Sequence, residues 1–250
     1  MSQYKLIALD MDGTVLNDQS EISEENVHWI NKAREAGVTV MFSTGRGFKK
    51  AIDYAEQLQL DSPIITVNGS EIWEKPYQLL DRTLLDHRWI NKCYELAQRY
   101  SDAWFWAYTT DEIYNKENWQ HITEQYDQYE WLKFGYYVED IEMITALRHE
   151  VEQWGELEIS NSSPYNIEIN PFDTSKATAL VKLCAHMGIK MDQVIAVGDS
   201  LNDIKAIQQC GLGVAMGNAQ EEVKHAADYI TASNNDHGVA EVIRKFIFNM

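Results

Sequence analysis

A parallel α/β sheet with an α+β unit inserted into it is the fold class this sequence predicts, on three observations. Short apolar runs alternate with helix-like stretches at both ends of the chain, the βαβ rhythm of a parallel sheet with right-handed crossovers. The middle, residues 83–170, breaks that rhythm and gathers most of the tryptophans and tyrosines. Polar residues also collect at the ends of three apolar runs, where open α/β sheets bind their ligands.

The first run is Leu6-Ile7-Ala8-Leu9, a buried strand that ends in Asp10-Met11-Asp12-Gly13-Thr14. Gly13 lets the chain turn sharply away from the two carboxylates. Ser23 then reads as a helix N-cap, with Glu24 and Glu25 favouring the helix dipole, Ile22 and Val27 at staple spacing and Gly37 as the stop. Val38 to Phe42 is a second strand and ends in Ser43-Thr44-Gly45-Arg46. Phe48 to Leu60 is helical and Ile64 to Val67 a third strand. Asn68-Gly69 turns into a hairpin formed by Glu71–Trp73 and Gln78–Leu80.

Between residues 83 and 170 the pattern mixes helix-like stretches at 88–100, 119–128 and 141–154 with strands at 104–108, 112–114, 134–138, 156–160 and 166–169. Its aromatic residues are expected to form a core of their own, because large rings dominate small cores. After Pro171 the α/β rhythm returns. Ser175 to Met187 is helical and Val194 to Val197 a buried strand. Next come Gly198-Asp199-Ser200-Leu201-Asn202-Asp203, a helix to Gln209, strands at 212–215 and 229–231, and a last helix from Gly238 to Phe248. The predicted architecture is a discontinuous core, 1–82 and 171–250, with 83–170 inserted.

Composition narrows the partners. At 250 residues and 45% apolar the chain can bury a substantial core, and its formal charge of −18 argues against nucleic-acid backbones and anionic membranes. No stretch is long and apolar enough to span a bilayer, and Leu6–Leu9 is too short for a secretory core. The three cysteines, Cys93, Cys184 and Cys210, are scattered as reduced thiols would be, so a cytoplasmic protein is expected. The seven histidines show no metal-ligand spacing.

In a parallel sheet, the ends of neighbouring strands meet in space. Asp10, Asp12 and Asp199 then form an all-oxygen acidic cluster of the kind that suits magnesium, which holds few carboxylates together with a phosphate. A compact anion could enter so acidic a site only where a cation reverses the local field.

Four segments carry a resemblance. Asp10-Met11-Asp12-Gly13-Thr14, Ser43-Thr44-Gly45-Arg46, Lys176 and Gly198-Asp199-Ser200-Leu201-Asn202-Asp203 match, in order, the motifs of the haloacid-dehalogenase-like phosphatases. Asn68-Gly69, Met216-Gly217-Asn218-Ala219 and Gly238-Val239-Ala240 make the chain resemble the Cof-type subfamily, whose α/β cap is inserted between motifs two and three. One departure is Ala177, where that subfamily commonly has glycine.

The resemblance implies phosphoryl transfer through an aspartyl-phosphate. Asp10 is implied as nucleophile and Asp12 as general acid/base, the latter expected among like charges that help it hold a proton. Mg2+ is implied on Asp10, Asp199 and the backbone carbonyl of Asp12, with Ser200 and Asp203 as candidates to support the metal or its waters. Lys176, the Thr44 hydroxyl, the Met11 and Gly45 amides and Asn202 are implied as phosphate ligands. Arg46 either pairs with a nearby carboxylate or reaches substrate. Asn68 either serves its turn or touches substrate.

The expected function is a magnesium-dependent phosphatase acting on small phosphorylated metabolites such as sugar phosphates, with the inserted cap excluding water and choosing the leaving group. A phosphomutase, which would return the phosphoryl group to sugar, and a silent sensor of a phosphorylated ligand are the alternatives. Oligomeric state is left open.

Overall fold

Eight strands form the sheet that carries the motifs. In the computed structural model, which describes residues 2–250, the chain begins with β1 (Leu6–Leu9), α1 (Glu24–Glu35), β2 (Thr39–Ser43), α2 (Phe48–Gln57), β3 (Ile64–Thr66), β4 (Glu71–Lys75) and β5 (Gln78–Arg82). The middle comprises α3 (His87–Arg99), β6 (Trp104–Thr109), β7 (Ile113–Asn115), β8 (Trp131–Tyr137), α4 (Ile141–Glu152), β9 (Leu157–Ser160) and β10 (Asn166–Pro171). The end comprises α5 (Lys176–Met187), β11 (Val194–Gly198), α6 (Ile204–Gln209), β12 (Leu212–Ala215), α7 (Glu221–Ala226), β13 (Tyr229–Ile230) and α8 (Gly238–Ile247). Two units result, one made of the chain up to Asp81 with Lys176–Met250, the other of Arg82–Ser175.

In the first unit the strand order is β13-β12-β11-β1-β2-β3-β4-β5. The six strands from β13 to β3 run parallel, and β4 turns back against β3. β1 is central, with Leu9 opposite Phe42 on one side and Val197 on the other, so the ends of β1, β2 and β11 lie together. Every residue of β1 and β11 is buried, as expected of strands covered on both faces. Helix α1 starts where Ser23 Oγ accepts the Asn26 N–H at 3.2 Å, and it is tied to α8 by Ala240 N–H donating to Asn26 Oδ1 at 3.0 Å. Ala177 lies fully buried inside α5, so its methyl group is accommodated there.

The second unit is a five-stranded antiparallel sheet in the order β7-β6-β8-β10-β9 with α3 and α4. Its rings do form a core: Tyr94, Phe105, Trp119, Tyr126, Trp131, Phe134 and Tyr136 pack together, with Tyr94 stacked on Trp119 at 4.9 Å. Tyr137 and Tyr165 stand outside it, partly exposed to solvent.

The helix expected over residues 119–128 is replaced by two separate 3-10 turns, Trp119–His121 and Tyr126–Gln128. The Thr123 and Glu124 amides, which a continuous helix would send to carbonyls one turn back, lie 3.3 and 3.4 Å from the Tyr129 hydroxyl. The Trp119 indole donates to the Tyr126 hydroxyl and the Trp131 indole to the Tyr126 carbonyl, which fixes the folded-back path. Helix α7 was not expected; six residues are too few for a clear apolar period.

Candidate active site

Where β1 ends, the Asp10 amide still donates to the Val197 carbonyl at 3.0 Å, holding the loop against β11. The Met11 carbonyl then accepts from the Thr14 and Leu16 amides, and the chain turns through Gly13 at a φ of +74°. A Cβ on Gly13 would lie 2.6 Å from Asp199 Oδ2, so both conformation and space call for glycine. Gly198 is equally constrained: a Cβ there would lie 2.2 Å from the Asp203 carboxyl carbon. The two loops that bring the carboxylates together are thus closely nested.

Lys176, in the first turn of α5, links the carboxylates. Taken outside its motif it would read as an exposed helix residue, yet it is 1% exposed. Its Nζ lies 2.6 Å from Asp10 Oδ1 and 2.7 Å from Asp203 Oδ1. The other Asp203 oxygen accepts the Asp199 and Ser200 amides at 3.1 and 3.2 Å. Asp203 therefore orders its own loop and holds the lysine. Ser200 Oγ donates to Asp199 Oδ2 at 3.1 Å, and Thr14 Oγ1 contacts Asp199 Oδ1 at 3.4 Å.

Ligand oxygens of Asp10, Asp199 and Asp203 lie within 4.8 Å of one another. Fully ionised, three carboxylates would face one ammonium, an excess of two negative charges in a largely buried site. Burial pushes the Asp10 carboxyl well above its usual range, Asp203 and Asp199 push it the same way, and Lys176 opposes them. Burial and then Asp203 raise Asp199 to about 7, against Lys176 and the two hydroxyls. For Lys176, burial favours the neutral amine, but Asp10 and Asp203 outweigh it and keep the ammonium. Excess buried negative charge on oxygen donors fits a hard divalent cation, with Asp10 and Asp199 the carboxylates left to meet it.

At the end of β2, Thr44 is 1% exposed. Its hydroxyl accepts the Arg46 amide at 3.1 Å, and its own proton is left to donate. Gly45 follows it in the same loop. The Thr44 carbonyl accepts the Asn68 amide at 3.0 Å, which brings the end of β3 alongside. Asn68 is buried at a φ of +57°, and its Oδ1 accepts from Asn202 Nδ2 at 3.1 Å. One Asn202 N–H is therefore spent on Asn68 rather than offered to phosphate, and Asn202 Oδ1 is buried without a hydrogen-bond partner among the described residues.

Asp12 departs from expectation. Its side chain is 59% exposed and faces a cation, not like charges: Arg46 Nη2 lies 2.6 Å from Oδ1 and Nε 2.8 Å from Oδ2. Of the two roles left open for Arg46, the structure shows pairing with a carboxylate, and the partner is Asp12 itself. Sequence reading also missed Asn218, whose Nδ2 donates to the Gly13 carbonyl at 2.8 Å while its Oδ1 accepts the Asn234 amide. Asn218 lies in the quoted Met216–Ala219 segment, which was the available signal.

The family pattern of the haloacid dehalogenase-like hydrolases matches residues 7–243. The chain belongs to this family. Among its relatives, the 5-amino-6-(5-phospho-D-ribitylamino)uracil phosphatase YcsE of Bacillus subtilis is 46% identical over 97% of this chain and 96% of its own. YwtE of the same bacterium carries the same enzyme description at 29% identity, over 97% of this chain and 98% of its own. A solved haloacid dehalogenase-like hydrolase from B. subtilis superposes with a TM-score of 0.87 at 26% identity, covering 96% of this chain and 99% of that one. This haloacid dehalogenase-like hydrolase is thus an enzyme with phosphatase relatives. Among its described residues no helix is long and apolar enough to cross a membrane.

Proposed function

We propose that this hydrolase is a Mg2+-dependent phosphatase working through an aspartyl-phosphate on Asp10, and that its substrate is 5-amino-6-(5-phospho-D-ribitylamino)uracil or a close phosphorylated relative. The observation that carries the chemistry is the Asp10–Lys176–Asp203 chain beside Asp199 and Thr44 at three adjacent strand ends. The YcsE likeness supports the substrate.

Asp10 and Asp199, with the Asp12 carbonyl, are the groups that would hold Mg2+, which when bound screens the carboxylates from the incoming phosphate. Asp10 attacks phosphorus, and the P–O bond to the alcohol breaks as the O–P bond to Asp10 forms. Asp12 gives its proton to the departing alkoxide, then takes one from the water that attacks the acyl-phosphate, releasing phosphate and restoring Asp10. Lys176, the Thr44 hydroxyl, the Met11 and Gly45 amides and the remaining Asn202 N–H stabilise charge on the equatorial oxygens. Ser200 and Asp203 support the metal site by orienting Asp199 and Lys176. The unit Arg82–Ser175 selects the leaving group. Three unbridged cysteines accord with work in the cytoplasm.

The test is phosphate release from the ribitylaminouracil phosphate and from a panel of sugar phosphates, with and without Mg2+, in wild type and Asp10→Asn. The reading expects the first ester to lead the panel in kcat/KM and the variant to be inactive. An active Asp10→Asn enzyme sinks the nucleophile; a flat panel sinks the substrate.

A further inference from the structure

Arg46 holds Asp12 in a fork. Its Nε and Nη2 meet the two carboxylate oxygens at 2.8 and 2.6 Å, which fixes the plane of the carboxylate as well as its place. The two partners differ in how firmly they are held. Asp12 sits at a turn with 59% of its side chain in solvent, whereas the Arg46 side chain is 21% exposed. The Arg46 backbone is tied on both sides, its amide donating to Thr44 Oγ1 and its carbonyl accepting the Val67 amide at 2.9 Å. The Tyr54 ring lies 5.1 Å from the guanidinium carbon, and the Tyr54 hydroxyl donates to the Ser20 carbonyl at 3.0 Å.

We infer that Arg46 is the positioning residue for Asp12, the fixed support that keeps an otherwise mobile acid/base carboxylate aligned for its proton transfers. An exposed aspartate on a turn samples several rotamers, and a general acid is effective only within hydrogen-bond reach of its target. The fork removes that freedom, and planar two-point recognition is what distinguishes arginine from lysine here. Asp12 occupies the Nε/Nη2 edge of the guanidinium, so gripping the phosphoryl group would fall to the Nη1/Nη2 edge, and the phosphate inhibition constant separates the two roles. The Arg46–Thr44 contact also ties the support to the phosphate end of the site through one short segment, 44–46.

The inference rests on the reading of Asp12 as acid/base, and a double-mutant cycle tests it separately from the phosphatase reading. Wild type, Arg46→Ala, Asp12→Asn and the double variant are compared in Mg2+ for kcat on an alkyl phosphomonoester and for inhibition by inorganic phosphate. Arg46→Lys and Arg46→Gln serve as milder variants should alanine impair folding. Arg46→Ala should lower kcat about tenfold or more, a loss within the range of general acid/base contributions, and shift the phosphate inhibition constant by less than about twofold. In the Asp12→Asn background the same change should cost less than about twofold. Arg46→Lys should recover only part of the loss. Equal losses in both backgrounds, an unchanged kcat in Arg46→Ala, or a phosphate inhibition constant rising in step with the loss would overturn the assignment. A wild-type enzyme that hydrolyses no ester would instead remove the phosphatase reading.

Discussion

Replacing Asp199 by asparagine should stabilise the metal-free protein at neutral pH while abolishing its metal site. In the fold Asp199 has its pKa raised from 3.8 to about 7, chiefly by burial and by Asp203. A raised carboxyl pKa means the native state binds the proton more tightly than the unfolded chain does. The fold then has its full stability below the unfolded value and loses it as pH rises through the folded one. For Asp199 that window runs from 3.8 to about 7. One proton changes stability by about 1.4 kcal/mol per pH unit, so Asp199 alone accounts for on the order of 4 kcal/mol across it. Asp10, raised in the same direction, steepens the fall. The assay is urea unfolding of chelator-treated protein at intervals from pH 5 to pH 8. Wild type should lose stability as pH rises towards 7. Asp199→Asn should lose less, by about one proton's worth of slope below the folded pKa of about 7 and by little above it. Identical slopes in the two proteins would refute the reasoning, as would a wild type whose stability does not change over that range.

Metal binding should show the same linkage from the other side. Since Mg2+ takes ionised carboxylates, its apparent affinity should rise between pH 6 and pH 8, and calorimetry in buffers of different ionisation enthalpy should detect proton release near pH 6. Gly13→Ala forces a side chain into a φ of +74° and a Cβ to 2.6 Å from Asp199 Oδ2, so Mg2+ affinity and kcat should both fall about tenfold or more. In the other unit, Lys133 and Glu168 pair at 2.7 Å with side chains 1% and 6% exposed. Lys133→Met should cost about 3–5 kcal/mol in chemical denaturation, and adding Glu168→Leu should recover much of it.

The central sheet was legible because its strands are short, β-branched, apolar runs that end abruptly in Asp, Thr or Gly, a pattern set by burial on both faces. The site followed from it, since Asp10, Thr44 and Asp199 occupy the ends of strands that must be neighbours once the sheet is parallel. Contacts between distant side chains were not legible. That Asn202 gives an N–H to Asn68, 134 residues away, depends on side-chain rotamers that no local pattern encodes. The partner of Asp12 was hidden for the same reason: composition says the surroundings are acidic, while one arginine decides the local field. The two 3-10 turns at 119–128 escaped because a tyrosine hydroxyl, not a backbone carbonyl, meets the amides that would have continued a helix.

The claim on which all of this depends is that Asp10 becomes phosphorylated. Enzyme mixed with Mg2+ and substrate, quenched in acid within the first turnover and digested, should yield a phosphorylated peptide containing Asp10, formed and lost at rates that account for phosphate release. Turnover at full rate with that peptide never phosphorylated would mean that water attacks the ester directly, and the account of Asp10 would be wrong.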